Sequence, residues 1–207
     1  MKFSRCLNHL EVSVRDSVYV IVSAGTDGCL GDLESLSDDC ERLGLSRLLW
    51  HVSGDDSCPM WRLKPRIMQD SLWHAGLPCV WINSADDLLE APRLTDSQFK
   101  RVDIIVADNP DPKRDRKSSK FASFFGAVRS SKEGRRFLSQ YRGFADSASK
   151  SGTNPQELDP MYSAYRLLLD ERARLHRCVF LNASESFRGC VRLNPSASSS
   201  REVSFVS

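Results

Sequence analysis

Three apolar runs constrain this chain more than anything else in it: Val18–Val22 (VYVIV), Leu48–Ser53 (LLWHVS) and Pro78–Asn83 (PCVWIN). None of them alternates apolar with polar residues. That is the pattern of strands buried on both faces, as parallel sheets require. Between the runs lie two stretches with helical spacing. In the first, from about Asp32 to Leu43, residues Leu33, Leu36, Cys40 and Leu43 recur at helical intervals and leave the acidic residues facing water. Gly44 is placed to stop it in a left-handed cap. The second is read as starting at Pro65, since a proline in the first turn gives up an amide that has no partner anyway, and as ending near Ala75 with Gly76 as cap. Strand, helix, strand, helix, strand with short connections predicts an α/β fold. The expected form is a mostly parallel sheet of about five strands with helices on both faces, a Rossmann-like three-layer arrangement.

The remaining segments fit around that frame. Leu10–Val14 (LEVSV) alternates and predicts an edge strand, in a hairpin with the first buried run. Ser84–Arg101 is a connector with one short helical piece, leading to a fourth strand at Val102–Ala107 (VDIIVA). Phe121, Phe124, Phe125 and Val128 then fall at i, i+3, i+4 and i+7, a helical face, and Phe137, Leu138, Tyr141 and Phe144 repeat it after a break near Gly134. These define a basic helical insertion after the fourth strand, occupying 113–158 together with a linker, Ser147–Pro160 (SASKSGTNPQELDP). A helix capped by Asp159 follows, with Pro160 as its first residue, and Cys178–Asn182 is the last strand. The expectation is a single domain over 1–183 and a disordered serine-rich tail over 184–207.

Composition narrows the class. No apolar run approaches the ~20 residues that span a bilayer, and the amino terminus lacks the unbroken apolar core of a signal peptide. Together they predict a soluble intracellular protein, cytoplasmic or nuclear. The seven cysteines are odd in number and none has C-x-x-C spacing, so reduced and mostly buried thiols are expected rather than disulfides or a zinc site. The net charge of +2 hides a separation: Gly25–Asp56 holds eight acidic residues against two basic, and Lys113–Arg142 holds ten basic against two acidic.

Three groups of residues carry candidate chemistry. The loop Ala24–Gly31 (AGTDGCLG) sits where glycines cradle phosphates, but it is neither GxxxxGK[ST] nor GxGxxG. Asp27, Asp32 and Glu34 would also repel an anion there, so no nucleotide-cofactor motif is present. The second group is Asp27, Asp55, Asp56 and Asp108, which follow strands that would all end at one sheet edge. Gathered there, they would bind Mg²⁺ or Mn²⁺ and activate water; aspartates after strands also serve as caps and turn formers. The third group is basic: Lys113, Arg114, Arg116, Lys117, Lys120, Arg129, Lys132, Arg135, Arg136 and Arg142. Such clusters bind phosphate backbones, dock an acidic protein partner, or simply face water.

Residues 50–90, WHVSGDDSCPMWRLKPRIMQDSLWHAGLPCVWINSADDLLE, resemble the middle of NYN-type ribonucleases of the PIN-like superfamily, where a strand runs into a Ser-Gly-Asp turn, a helix, a glycine and another strand. The family follows that turn with an aspartate and an aromatic, whereas Asp56 is followed by Ser57 and Cys58. The resemblance implies metal-dependent RNA cleavage with Asp55 among the ligands. The strand-end aspartates and the basic set together make the leading expectation a nucleic-acid-associated protein, with a metal-dependent phosphodiesterase or nuclease as its more specific form. The alternative is a non-catalytic interaction or regulatory accessory protein whose basic helices bind an acidic partner. A small-molecule transferase on a Rossmann-like scaffold is a third possibility, with no motif of its own.

Overall fold

The computed structural model describes residues 7–13, 17–53, 60–106, 126–151, 164, 180–182 and 190–192. In chain order the elements are β1 (Leu7–Ser13), β2 (Val20–Thr26), a 3-10 turn (Asp27–Cys29), α1 (Leu30–Arg42), β3 (Ser46–Val52), α2 (Met60–Ala75) and β4 (Cys79–Trp81). There follow β5 (Asp87–Leu88), α3 (Asp96–Arg101), β6 (Ile104–Val106), β7 (Gly126–Val128), α4 (Lys132–Ser151), β8 (Phe180–Asn182) and β9 (Val191–Arg192).

Seven strands form one sheet in the order β1-β3-β2-β4-β7-β6-β8. The parallel pairs β2/β3, β2/β4 and β6/β8, with β7 antiparallel to both β4 and β6, leave β3, β2, β4, β6 and β8 running one way and β1 and β7 the other. The α/β class and the mostly parallel sheet are thus as expected. Alternation along the buried strands splits the core in two. Val20, Val22, Leu48, Trp50 and Trp81 face α2 and α4, while Ile21, Leu49, Val80 and Ile105 face α1 and α3. Each such side chain, taken fully out of water, contributes about 1.5–3 kcal/mol.

Several boundaries differ from the sequence reading, each for a tertiary reason. β1 is an edge strand, but it pairs antiparallel with β3 and not in a hairpin with β2. α2 starts at Met60, so Pro65 lies inside the helix instead of in its first turn. The carbonyl that a proline at this position leaves without its helical donor is that of Trp61. Tyr141 Oη on α4 donates to it at 3.5 Å. Gly44 and Gly76 do close α1 and α2, with φ of 68° and 65°.

The described part of the basic stretch, 126–151, is not set apart as a helical insertion. Val128, read as part of a helix, belongs to β7, which fills the gap between β4 and β6; Phe121, Phe124 and Phe125 lie outside the described residues. α4 is a structural layer of the domain, burying Phe137, Leu138 and Tyr141 against α2 and the sheet. Gly134 sits in its first turn and is no break, and the helix runs on through the first five residues expected to be linker. The helix expected after Asp159 lies outside the described residues except for Ala164, which is helical and buried in the α2/α4 core. Cys190–Arg192 fall in the segment expected to be disordered. There Cys190 is buried and β9 pairs antiparallel with β5.

Candidate functional site

From β2 the chain passes through α1 to β3 on one side, then through α2 to β4 on the other side of β2. The strand order therefore reverses between β2 and β4. In open α/β sheets the crevice outside the carboxyl ends of two such strands is where ligands bind.

The β2 side of this crevice is Gly25, Thr26 and Asp27. Gly25 packs closely on α1: a Cβ there would meet Cys29 Cβ at 3.0 Å and Leu33 Cδ1 at 3.1 Å, so a larger residue would push these side chains back by a few tenths of an ångström. Gly25 lies opposite His51 in the β2/β3 register. The Asp27 carboxylate contacts His51 Nε2, joining the ends of the two strands across the turn. His51 is half-buried and Asp27 is 64% exposed, so the carboxylate is oriented by the imidazole while remaining open to solvent. Beneath them Ser23 is fully buried, and its hydroxyl has no hydrogen-bond partner among the described residues.

The β4 side is built on Trp81. Its backbone opposes Val22, and the next amide, of Ile82, donates to Val22 O at 3.0 Å, carrying the pairing one residue further. Trp81 Nε1 donates to Asn83 Oδ1 at 3.0 Å, which fixes the asparagine at the strand end. Lys64 approaches from α2, its Nζ 5.2 Å from the centre of the Trp81 ring. With 4% exposure it is a lysine inside the wall of the domain, its Nζ over the ring of a tryptophan that is itself buried. Desolvation strengthens such a contact with an aromatic face.

The sequence-derived site residues are distributed unevenly. Asp27 follows the carboxyl end of β2, in the 3-10 turn, where its carboxylate contacts His51. Asp55, Asp56 and Asp108 lie outside the described residues, and among the described residues no group of three or more His, Cys, Asp or Glu could hold a metal ion. Of the basic set, Lys113, Arg114, Arg116, Lys117 and Lys120 also lie outside. Arg129 donates to Lys100 O at 3.1 Å and lines a shallow cavity of about 250 Å³ at the amino edge of the sheet, with Val18, Leu77, Pro78 and Lys100. Lys132, Arg135 and Arg142 are exposed on α4 and Arg136 is half-buried there. None of these described cations contributes to the crevice. Lys64, Trp81 and Asn83 were not singled out from sequence. The available signal was a lysine on the apolar stripe of α2, among Leu63, Ile67, Met68 and Leu72.

The architecture defines a three-layer α/β protein with an antiparallel strand set into an otherwise parallel run. No family model matches the chain, nor does any curated protein. Among solved structures, the crystal structure of a glycosyltransferase involved in the glycosylation of the major capsid of PBCV-1 shares the fold. The TM-score is 0.56 at 11% identity, over 84% of this chain and 90% of that chain. No helix among the described residues is long and apolar enough to cross a membrane.

This likeness corrects the functional expectation. The segment 50–90 does form strand, helix and strand, as its resemblance to NYN ribonucleases implied. The fold, however, is shared over 84% of this chain with a glycosyltransferase, and of the basic residues meant to hold nucleic acid the described ones are Arg129, just before α4, and Lys132, Arg135, Arg136 and Arg142 on α4. The nuclease reading and its accessory-protein alternative are set aside.

Proposed function

We propose that the chain is a glycosyltransferase-type enzyme that seats a nucleoside-diphosphate sugar in the crevice between β2 and β4. The observation that supports this is the fold shared with a solved glycosyltransferase over most of both chains; fold alone does not carry function, so the site must carry the rest. In such a transfer an acceptor oxygen bonds to the anomeric carbon as that carbon's bond to the diphosphate oxygen breaks. The acceptor's proton passes to a base, and the nucleoside diphosphate leaves with the bonding electrons. Charge therefore develops on the diphosphate, and a fixed cation beside it is the most effective stabiliser. Lys64 fills that role in this reading, steadied by the Trp81 ring. Asp27, oriented by His51, accepts from donor hydroxyls, and Asn83 supplies a neutral donor and acceptor at the end of β4.

The test is calorimetric titration with a panel of uridine, guanosine and cytidine sugar nucleotides, each with Mg²⁺, Mn²⁺ or chelator, alongside release of the free nucleotide. One nucleotide class should bind saturably. Lys64→Met, which keeps the stem and removes the charge, should weaken binding roughly tenfold to a hundredfold, the worth of a charge-assisted contact. Circular dichroism should confirm that the variant is folded. No binding by any sugar nucleotide under any of the three conditions rejects the proposal.

A further inference from the structure

The separation of charge along the chain becomes a separation across the sheet. On one face α1 exposes Glu34, Asp38 and Glu41. On the opposite face α4 exposes Lys132, Arg135, Arg142 and Lys150. The acidic residues of α4 offset only part of this stripe: Glu133 and Asp146 are half-exposed, and Asp146 lies between Arg62 of α2 at 3.3 Å and Arg142 at 3.9 Å, which leaves Lys132, Arg135 and Lys150 as its main charges. From Lys132 to Lys150 the stripe extends roughly 27 Å at the rise of an α-helix. Beside α4, in the same layer, α2 turns Trp73 outward at 80% exposure, opposite the helix side that buries Leu63, Ile67 and Leu72.

We propose that the outer face of the α2/α4 layer docks the protein on an anionic lipid surface. Cations near such a surface each add to binding and do so without needing a pocket. A tryptophan beside them supplies an amphipathic ring of the kind that settles at the headgroup level. The shape of the face decides between lipid and nucleic acid. A nucleic-acid strand is held in a positively charged groove with several stacking aromatics, whereas these cations lie along the outer side of one helix and Trp73 is the single large aromatic exposed among the described residues. The acidic face of α1 points away from the lipid in this pose, which gives the molecule one preferred orientation. The proposal does not depend on what the crevice binds.

The experiment is flotation of the full chain with vesicles of phosphatidylcholine alone and with vesicles containing phosphatidylserine, across a salt series. Binding should require the anionic lipid and fall with salt as charges are screened. The triple change Lys132→Ala, Arg135→Ala, Lys150→Ala should weaken it about a hundredfold, near fivefold for each cation removed. Trp73→Phe should reduce quenching of the tryptophan emission by brominated lipid, a readout independent of the charge variant. Equal binding to both vesicle types, no binding to either, or binding unchanged in the triple variant overturns the proposal. So does binding of single-stranded RNA, lost in the triple variant, without binding of phosphatidylserine.

Discussion

Replacing Gly134 by alanine should destabilise the protein, although the same change elsewhere in the same helix should stabilise it. A Cβ on Gly134 would lie 2.2 Å from the carbonyl oxygen of Arg129 and 3.0 Å from Val128 Cγ1. Carbon–oxygen contacts in proteins settle at about 3.3 Å or beyond, so the first turn of α4 and the end of β7 must part by about 1 Å. Two hydrogen bonds span that joint: Gly134 N donates to Ser131 Oγ at 3.0 Å, and Ser131 N donates to Arg129 O at 2.8 Å. Ser131 Oγ in turn donates to Asp103 Oδ1 at 2.6 Å, so a shift is passed on to the start of β6. Overpacking costs about 1–3 kcal/mol, and two lost hydrogen bonds add about 2 kcal/mol. The expected loss is therefore about 3–5 kcal/mol, or roughly 10 °C in Tm for a chain of this size. At Gly143 of the same helix no atom lies within 4 Å of the added Cβ, and alanine should stabilise by about 0.5–1 kcal/mol through lower backbone entropy in the unfolded chain. Urea denaturation of both variants checks the pair. If Gly134→Ala unfolds at the same midpoint as Gly143→Ala, the close joint between β7 and α4 is wrong.

Two further outcomes follow from buried groups. Ser23→Ala should raise stability in urea by about 1 kcal/mol, because it removes a buried hydroxyl with no partner among the described residues; a loss of comparable size would mean that the hydroxyl is satisfied after all. Burial pushes the Cys79 thiol upward, and burial together with the neighbouring Cys190 and Cys40 does the same to the Tyr19 hydroxyl. The unfolded chain releases these protons near pH 8.5 and 10 while the folded chain keeps them. Their contribution is fully present below those values and is lost as pH rises through and beyond them. Stability measured from pH 7 to 11 should therefore decline, and Cys79→Ala should shallow the slope above about pH 8.5. An unchanged slope would contradict the burial of that thiol.

What was legible in the sequence was what neighbouring residues decide. VYVIV, LLWHVS and PCVWIN announce buried strands because each is apolar without interruption, and Gly44 and Gly76 announce helix ends because each takes a positive φ there. What was illegible depends on residues far along the chain. Pro65 reads as a helix start until Tyr141, on α4, reaches the carbonyl that the proline leaves bare. Gly126–Val128 has no strand signature of its own, and its conformation is imposed by the gap between β4 and β6. The two residues of β9 are ordered by β5 and by the buried Cys190, whose carbonyl accepts from Leu89 N at 2.7 Å. At the site, Asp27 was legible as a carboxylate after a strand. The Lys64–Trp81 contact was not, because no local pattern couples an α2 lysine to a β4 tryptophan.

Topology explains why a chain with an acidic segment and a basic one becomes a molecule with an acidic face and a basic one. A sheet that extends from β2 in both directions sends its crossover helices to opposite faces, so α1 and α4 cannot neutralise each other by contact and instead lie on either side of the sheet. The carboxyl edge lies between the two fields, and Lys64 is a lysine set inside the wall rather than on the surface. In the proposed reading its action on a diphosphate would be local and weakly screened, whereas that of the α4 stripe would be long-range and sensitive to salt. The two proposed functions therefore separate experimentally. Neutralising α4 should change where the protein sits and leave sugar-nucleotide affinity intact, while Lys64→Met should change that affinity and leave vesicle binding intact. A variant of either kind that altered both would show that the crevice and the α2/α4 face are one site.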